Sequence, residues 1–321
     1  MRIVFFGTPE FALPSLNALY RATGFRVAAA VTQPDRAKGR GKKVIASPVK
    51  QLAQELNIKV LTYENIRAPE AVEELKDLKA DLFVTAAYGQ ILSQKVLDIP
   101  KTGTVNVHAS LLPKYRGAAP VPWCIYNGER ETGVTTMFTD RGVDTGDMLL
   151  QARTDIGPDE TGGELLERLS HLGAEVLVET LRRLEAGTLY RTPQREEEAT
   201  KVPMLEKSHG HMDFTRTAEA LRNQVRAFIP WPVAWTTYRD PKNGVQRMKV
   251  FSVRRVNVPG LFAPGEVLLA SARDGLVVSC GAGEALEILE MQMAGAKRMT
   301  AREYLRAKSI NVGAILGSEA D

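Results

Sequence analysis

Residues 104–120 read TVNVHASLLPKYRGAAP. Thr104 to Val107 alternate small, apolar and polar groups like the end of a buried strand. Asn106 and His108 stand two apart, so an extended backbone sends both side chains to one face. The amide offers N–H donors, and the imidazole donates or shuttles a proton near neutral pH. Pro113 then breaks regular structure, and Lys114, Arg116 and Gly117 read as a basic, flexible turn.

Upstream of this stretch, Asp81 to Ala87 is an almost continuous apolar run, typical of a strand buried on both faces. Tyr88, Gly89, Gln90 and Ile91 follow it, beyond a strand's C-terminal end, where an open α/β sheet binds its ligand. Arg2 to Phe6 and Val27 to Val31 read as further strands. Thr8 followed by Pro9 predicts a helix start, with Thr as N-cap, and Ser47 before Pro48 predicts a second. Helices are expected over 47–56 and 68–78. Strands alternating with helices of this length imply an α/β fold with a doubly wound, mainly parallel sheet. The strand–Gly–helix opening carries Gly7 alone and no G-x-G-x-x-G pattern, which argues against a dinucleotide site.

Downstream, 118–126 reads as a helix. Two strands, 133–139 and 148–154, bracket the loop Asp140-Arg-Gly-Val-Asp144-Thr-Gly-Asp147. Asp before Gly is common in loops, so Asp140, Asp144 and Asp147 can each be read as turn residues; Asp147, which follows Gly146 and opens a strand, is given that role. Asp144 lies inside the loop and is the better partner for His108. An amide, an imidazole and a carboxylate suit acyl transfer. Attack on a carbonyl builds negative charge on oxygen, which N–H donors stabilise, and a carboxylate orients the imidazole or takes the nucleophile's proton. No serine or thiol stands as an obvious covalent nucleophile, so direct transfer to an amine is the simpler expectation.

A long amphipathic helix is expected over 161–184. The character changes after it, and residues 1–189 are read as the catalytic domain and 190–207 as a polar linker. From 208 to 321, a helix over 216–228 is followed by five short β-like runs with Gly and Pro turns, which predicts a small OB-like β-barrel. His209 and His211 have no third ligand nearby, so no metal site is expected there. Trp123, Trp231 and Trp235 read as core or interface aromatics.

At 321 residues, with 44% hydrophobic and 25% charged side chains, the composition is that of a globular chain and not a disordered one. The two cysteines, Cys124 and Cys280, form no CxxC or zinc spacing, as in a reducing cytoplasm. The apolar run Ile3 to Phe6 is too short for a signal peptide or a membrane span. Residues 201–321 hold 17 Lys and Arg against 12 Asp and Glu, while the preceding 200 carry a net −1. Within that acidic part, Arg36, Lys38, Arg40, Lys42 and Lys43 face Asp35 alone. The loop is read either as a solvated segment or as a contact for phosphate or nucleic acid.

The segments FFGTPEFALPSL (5–16), QPDRAKGRGKK (33–43), AAYGQIL (86–92), NVHASLLPKYRGAAP (106–120), GVDTGDML (142–149) and FIPWPVAW (228–235) span essentially the whole chain. Through them the sequence resembles the 10-formyltetrahydrofolate-dependent formyltransferase family. The basic loop and the complete second domain narrow the resemblance to its tRNA-directed branch, the methionyl-tRNA formyltransferases. The resemblance implies a formyltransferase-fold domain, a linker and an OB-like domain that helps hold tRNA. It implies catalytic Asn106, His108 and Asp144, and folate contacts at Ser110, Leu111, Leu112 and Pro113. The co-substrate is expected to be 10-formyltetrahydrofolate, with no metal, and the partner methionyl initiator tRNA, its acceptor end met by Arg36 to Lys43 and by Arg40 in particular. A cytoplasmic, monomeric enzyme with no membrane partner is expected. The departures from the family pattern, at Met204, Ser208, His209 and Phe214, all lie at the linker. The alternatives are a folate-dependent formyltransferase acting on an amino-sugar or nucleotide amine, and a non-catalytic tRNA-binding protein.

Overall fold

The computed structural model describes residues 1–38, 43–242 and 244–317. Cα packing divides the chain into two units. The first comprises Met1–Pro120, Glu131–Asp155 and Leu166–Val202, so residues 190–202 belong to it. In chain order its strands are β1 (Arg2–Gly7), β2 (Arg26–Thr32), β3 (Arg36–Lys38), β4 (Lys43–Ile45), β5 (Val60–Thr62), β6 (Leu82–Ala86), β7 (Thr104–His108), β8 (Arg116–Gly117), β9 (Glu131–Phe138), β10 (Met148–Asp155) and β11 (Lys201–Val202). Seven form one sheet in the order β10-β9-β7-β6-β1-β2-β5. The five strands from β7 to β5 run parallel, and β9 and β10 complete the sheet antiparallel. The expected doubly wound sheet is therefore present.

Every residue of β6 is buried, as is every residue of β1 after Arg2. A parallel strand covered on both faces needs such an unbroken apolar run. Phe6 and Phe83 meet with ring centroids 5.0 Å apart, and Val4, Val31, Leu75 and Val96 join the same core. Burying each such side chain contributes about 1.5–3 kcal/mol. The helices of this unit are α1 (Leu13–Arg21), α2 (Pro48–Glu55), α3 (Pro69–Asp77) and α4 (Gln94–Leu97), while α5 (Pro120–Tyr126) after Pro120 and the first turn of α6 (Gly162–Glu185) fall in the second. The chain order reverses between β1 and β6, which puts the topological switch point at Gly7 and Ala86.

Ser47 caps α2 as expected, its hydroxyl accepting the Lys50 N–H at 3.1 Å. Thr8 does not cap α1. A 3-10 turn, Glu10–Ala12, intervenes, and α1 begins at Leu13 behind Ala12. The Thr8 hydroxyl is committed across the switch point instead, donating to the Tyr88 carbonyl at 2.8 Å. The hairpin β3–β4 and the edge strand β5 were not expected. At three residues each they are too short to show a period.

The second unit comprises Val121–Arg130, Ile156–Leu165 and Pro203–Asp321. Its elements are α7 (Ala218–Ala227), β12 (Ala234–Asp240), β13 (Gly244–Val256), β14 (Val267–Ser271), β15 (Gly275–Ser279), β16 (Ala285–Met293), β17 (Met299–Thr300) and α8 (Ala301–Ala307). The strands form an antiparallel curled sheet, a half-barrel, in the order β12-β13-β16-β15-β14, with β17 beside β16. Met248, Val250, Leu276, Val278, Leu286 and Ile288 fill its buried face. Thr217 caps α7 by accepting the Ala220 N–H at 3.2 Å, and Thr300 with Glu303 closes a capping box on α8. His209 accepts the Glu206 N–H at 2.9 Å, and His211 packs on Trp235 with ring centroids 4.6 Å apart. Trp123 and Trp235 donate to the carbonyls of Pro203 and Lys207, while Trp231 is half exposed.

Candidate active site

Asn106 pairs with Thr85 across β7 and β6. The Thr85 hydroxyl donates to Asn106 Oδ1 at 2.7 Å. This fixes the amide and leaves its Nδ2 donors without a partner among the described residues. His108, at the end of β7, is only 6% exposed. Its Nε2 lies 2.9 Å from the Tyr115 carbonyl. A carbonyl can only accept, so Nε2 carries the proton, and Nδ1 is the ring nitrogen left to the site. That nitrogen lies 3.6 Å from Asp144 Oδ2.

Asp144 reaches this position through a strained loop. Its φ is +56°, in the left-handed region that side chains rarely adopt. Tyr115 (φ +59°) and Ala87 (φ +47°) share that conformation, and all three belong to the loops that carry the predicted site residues. Non-glycine residues held there concentrate at functional sites. Asp140 has the turn role: its Oδ1 accepts the Gly142 N–H at 2.9 Å and the Thr145 hydroxyl at 2.6 Å. The Asp147 carbonyl accepts the Phe138 N–H at 2.9 Å. Asp144 Oδ2 accepts the Gly117 N–H at 2.8 Å, which ties the two loops together.

The remaining predicted residues divide by placement. Ser110 is buried and its hydroxyl donates to the Lys114 carbonyl at 2.7 Å. Leu112 donates its N–H to Thr135 Oγ1, and its carbonyl accepts from Gln151. Leu111 is partly exposed and lies against Gly133, while Pro113 is buried. Tyr88 is a core residue, its ring edge-on to Phe6 at 5.4 Å. Gln90 holds its loop through Tyr63 and Ile66. Gly89 lines an open cleft of about 830 Å³ with Thr8, Gln33, Arg36, Ser47 and Gln51, and Ile91 is 61% exposed. In the basic loop, Arg36 is exposed, and Lys38 and Lys43 close the ends of the hairpin β3–β4. Arg40 and Lys42 lie outside the described residues.

The reading of Arg116 as part of a flexible basic turn is corrected: it is 1% exposed. Its Nε donates to Gln194 Oε1 at 2.9 Å and its Nη1 to Glu196 at 2.7 Å. Gln194 and Thr200 were not singled out from the sequence, although Gln194 opens the polar run 194–198 whose change of character was plain. Thr200 Oγ1 accepts the Tyr115 N–H at 2.8 Å, and β11 pairs parallel with β8. Among the described residues, no three His, Cys, Asp or Glu side chains gather to hold a metal ion, and no helix is long and apolar enough to cross a membrane.

The sequence model of the Formyl transferase family matches residues 1–181, and that of the Formyl transferase C-terminal domain matches 204–309. The fold is similar to that of a sugar 3N-formyl transferase, WlaRD, solved with dTDP and 5-N-formyl-THF (TM-score 0.64, 20% identity, 92% of this chain and 99% of that one). It is similar in the same degree to the N-formyltransferase of Helicobacter canadensis, solved with folinic acid and dTDP-3-aminofucose (TM-score 0.65, 20% identity, 92% and 99%). Fold and site thus define a formyl transferase.

The methionyl-tRNA formyltransferase of Acetivibrio thermocellus is 51% identical over 99% of this chain and 100% of its own. That of Geobacter sulfurreducens is 49% identical over 99% and 97%. The chain belongs to the methionyl-tRNA formyltransferase family.

Proposed function

We propose that the chain transfers a formyl group from 10-formyltetrahydrofolate to the α-amino group of methionyl initiator tRNA, giving N-formylmethionyl-tRNA for translation initiation, and that Asn106, His108 and Asp144 do the chemistry. The observation that carries the reading is identity near one half over the full length of relatives bearing that name; it is supported by His108 Nδ1 lying 3.6 Å from Asp144 Oδ2 and by Asn106 standing two residues before His108 on the same strand. The amino-sugar alternative rests on fold likeness at 20% identity and is not favoured.

The site suits a folate formyl donor, because Asn106, on β7 beside β6, keeps an amide nitrogen without a partner among the described residues. Bound there, 10-formyltetrahydrofolate supplies the formyl group on its N10. The acceptor amine must be neutral to attack, and free α-amino groups titrate at about 7.7–8.0. As the new C–N bond forms, negative charge grows on the formyl oxygen. Asn106 Nδ2 and protonated His108 meet it with N–H donors. Asp144 holds His108 and takes the amine proton, directly or through water, and the proton passes to N10 as the C–N10 bond breaks and tetrahydrofolate leaves. Ser110, Leu111, Leu112, Pro113 and the 88–91 loop border the folate. Arg36, Lys38, Arg40, Lys42 and Lys43 meet the acceptor end of the tRNA. Residues 1–189 supply the chemistry, 190–207 the connection, and 208–321 further hold on the tRNA. The protein acts as a monomer in the cytoplasm.

The test is transfer by the His108→Ala and Asp144→Ala enzymes. Each should lose turnover by about 100-fold or more with tRNA affinity nearly intact. A variant with near-normal turnover removes that residue from the chemistry.

A further inference from the structure

Gln194 reaches Asp144 from fifty residues down the chain. Its Nε2 donates to the Asp144 carbonyl at 2.9 Å and to the Gly146 carbonyl at 2.7 Å. Its Oε1 accepts from Arg116 at 2.9 Å. A guanidinium has only donors and a carbonyl only accepts, so this amide has one workable orientation. Arg116 enforces it from a buried position, with its charge met by Glu196. The two carbonyls flank Thr145, whose hydroxyl donates to Asp140 Oδ1 at 2.6 Å, and Gln194 ties them from outside the loop. Asp144 sits at positive φ, and Gly146 is so close to Phe138 that a Cβ would stand 1.8 Å from its carbonyl oxygen. The Asp144 carboxylate keeps its place against the Gly117 N–H and His108 only while this turn keeps its shape.

We infer that Gln194 is a positioning residue for the transfer reaction. It sets the Asp144 carboxylate by holding the backbone on both sides of Thr145, and Arg116 locks its amide in that sense. The polar stretch 194–202 is then part of the catalytic apparatus and not only a connection. Thr200 supports this arrangement on the opposite loop, bonding the Tyr115 N–H through its side chain and the Arg116 N–H through its carbonyl. The inference rests on the proposed role of Asp144 and extends it to a residue that acts through Asp144.

The test is a double-mutant cycle on single-turnover transfer, with enzyme in excess and purified folded protein. Gln194→Ala alone should lower the transfer rate 10- to 100-fold, with KM for methionyl initiator tRNA within threefold of the parent. In the Asp144→Ala background the same change should cost less than threefold, because the carboxylate it positions is gone. Gln194→Met keeps the volume without the hydrogen bonds and serves the same cycle if the alanine variant does not fold. A general structural role predicts equal losses in both backgrounds, and that result overturns the inference. Parent-like transfer by the Gln194 variants with Asp144→Ala inactive overturns it while leaving the role of Asp144 standing. Parent-like transfer by Asp144→Ala overturns both.

Discussion

Gly117 donates its backbone N–H to Asp144 Oδ2 at 2.8 Å across 27 residues of chain. The glycine is held at φ +116°, and a Cβ there would stand 2.3 Å from the Val202 carbonyl oxygen. Both loops of the site and the 194–202 stretch therefore meet at one backbone position.

Gly117→Ala should damage stability and turnover together. The positive φ alone costs about 1–3 kcal/mol with a side chain, and the contact with Val202 cannot relax without opening β8 from β11. A fall in unfolding midpoint of at least about 2 °C is expected, because 1 kcal/mol corresponds to about 2–4 °C in a domain of this size. Calorimetry with a transfer assay checks it, and an alanine enzyme with parent-like midpoint and turnover would show that the loops do not depend on this close approach.

Gly7 is required for packing. A Cβ there would lie 2.7 Å from Ala12 Cβ and 2.8 Å from the Phe5 ring. Gly7→Ala should destabilise by about 1–3 kcal/mol, as overpacked cores do. Urea unfolding measures that loss, and NAD should leave the midpoint of the parent chain unmoved.

Alkaline pH should destabilise the native state. Burial pushes the Cys280 thiol up to about 12 from an ordinary 9.0. Burial also raises the Tyr63 and Tyr88 phenols above 10.0, with a hydrogen bond to Glu74 adding to the effect at Tyr63. The unfolded chain releases these protons at the ordinary values while the native chain keeps them. Their contribution is complete below pH 9 and is lost as pH rises beyond it, each group costing up to about 1.4 kcal/mol per pH unit above its unfolded pKa. Urea midpoints at pH 8.0 and 10.5 test this, and a flat profile would mean that these groups are open to solvent.

Salt should separate the two substrates. KM for methionyl initiator tRNA is expected to rise at least tenfold between 50 and 200 mM salt, through the phosphate contacts proposed for the basic loop and the positive C-terminal third, while KM for the folate changes little. Arg36→Ala should lower the slope of log KM against log salt by about one. An unchanged slope would take Arg36 out of the tRNA contact.

The sheet was legible in the sequence wherever a strand is buried on both faces. Ile3 to Phe6 and Leu82 to Ala86 admit little else. The pair Asn106 and His108 was legible through strand alternation, and Asp144 through its place inside a glycine-bounded loop. Thr8 misled because a good N-cap residue was taken by a carbonyl 80 residues away. Arg116 misled because charge reads as exposure until Glu196 and Gln194 are known to satisfy it. Gln194 itself could not be read, since a polar run looks the same whether water or two distant carbonyls receive its amide. Hydrogen bonds over 48 to 80 residues leave no period in the chain.

The most direct measurement is formyl transfer from 10-formyltetrahydrofolate to methionyl initiator tRNA, with methionyl elongator tRNA, free methionine and a nucleotide-linked amino sugar as parallel acceptors. Transfer to the initiator tRNA alone is the predicted result. Transfer to the amino sugar with none to the tRNA would contradict the account, keeping the chemistry of Asn106, His108 and Asp144 and removing the role given to the basic loop and the second unit.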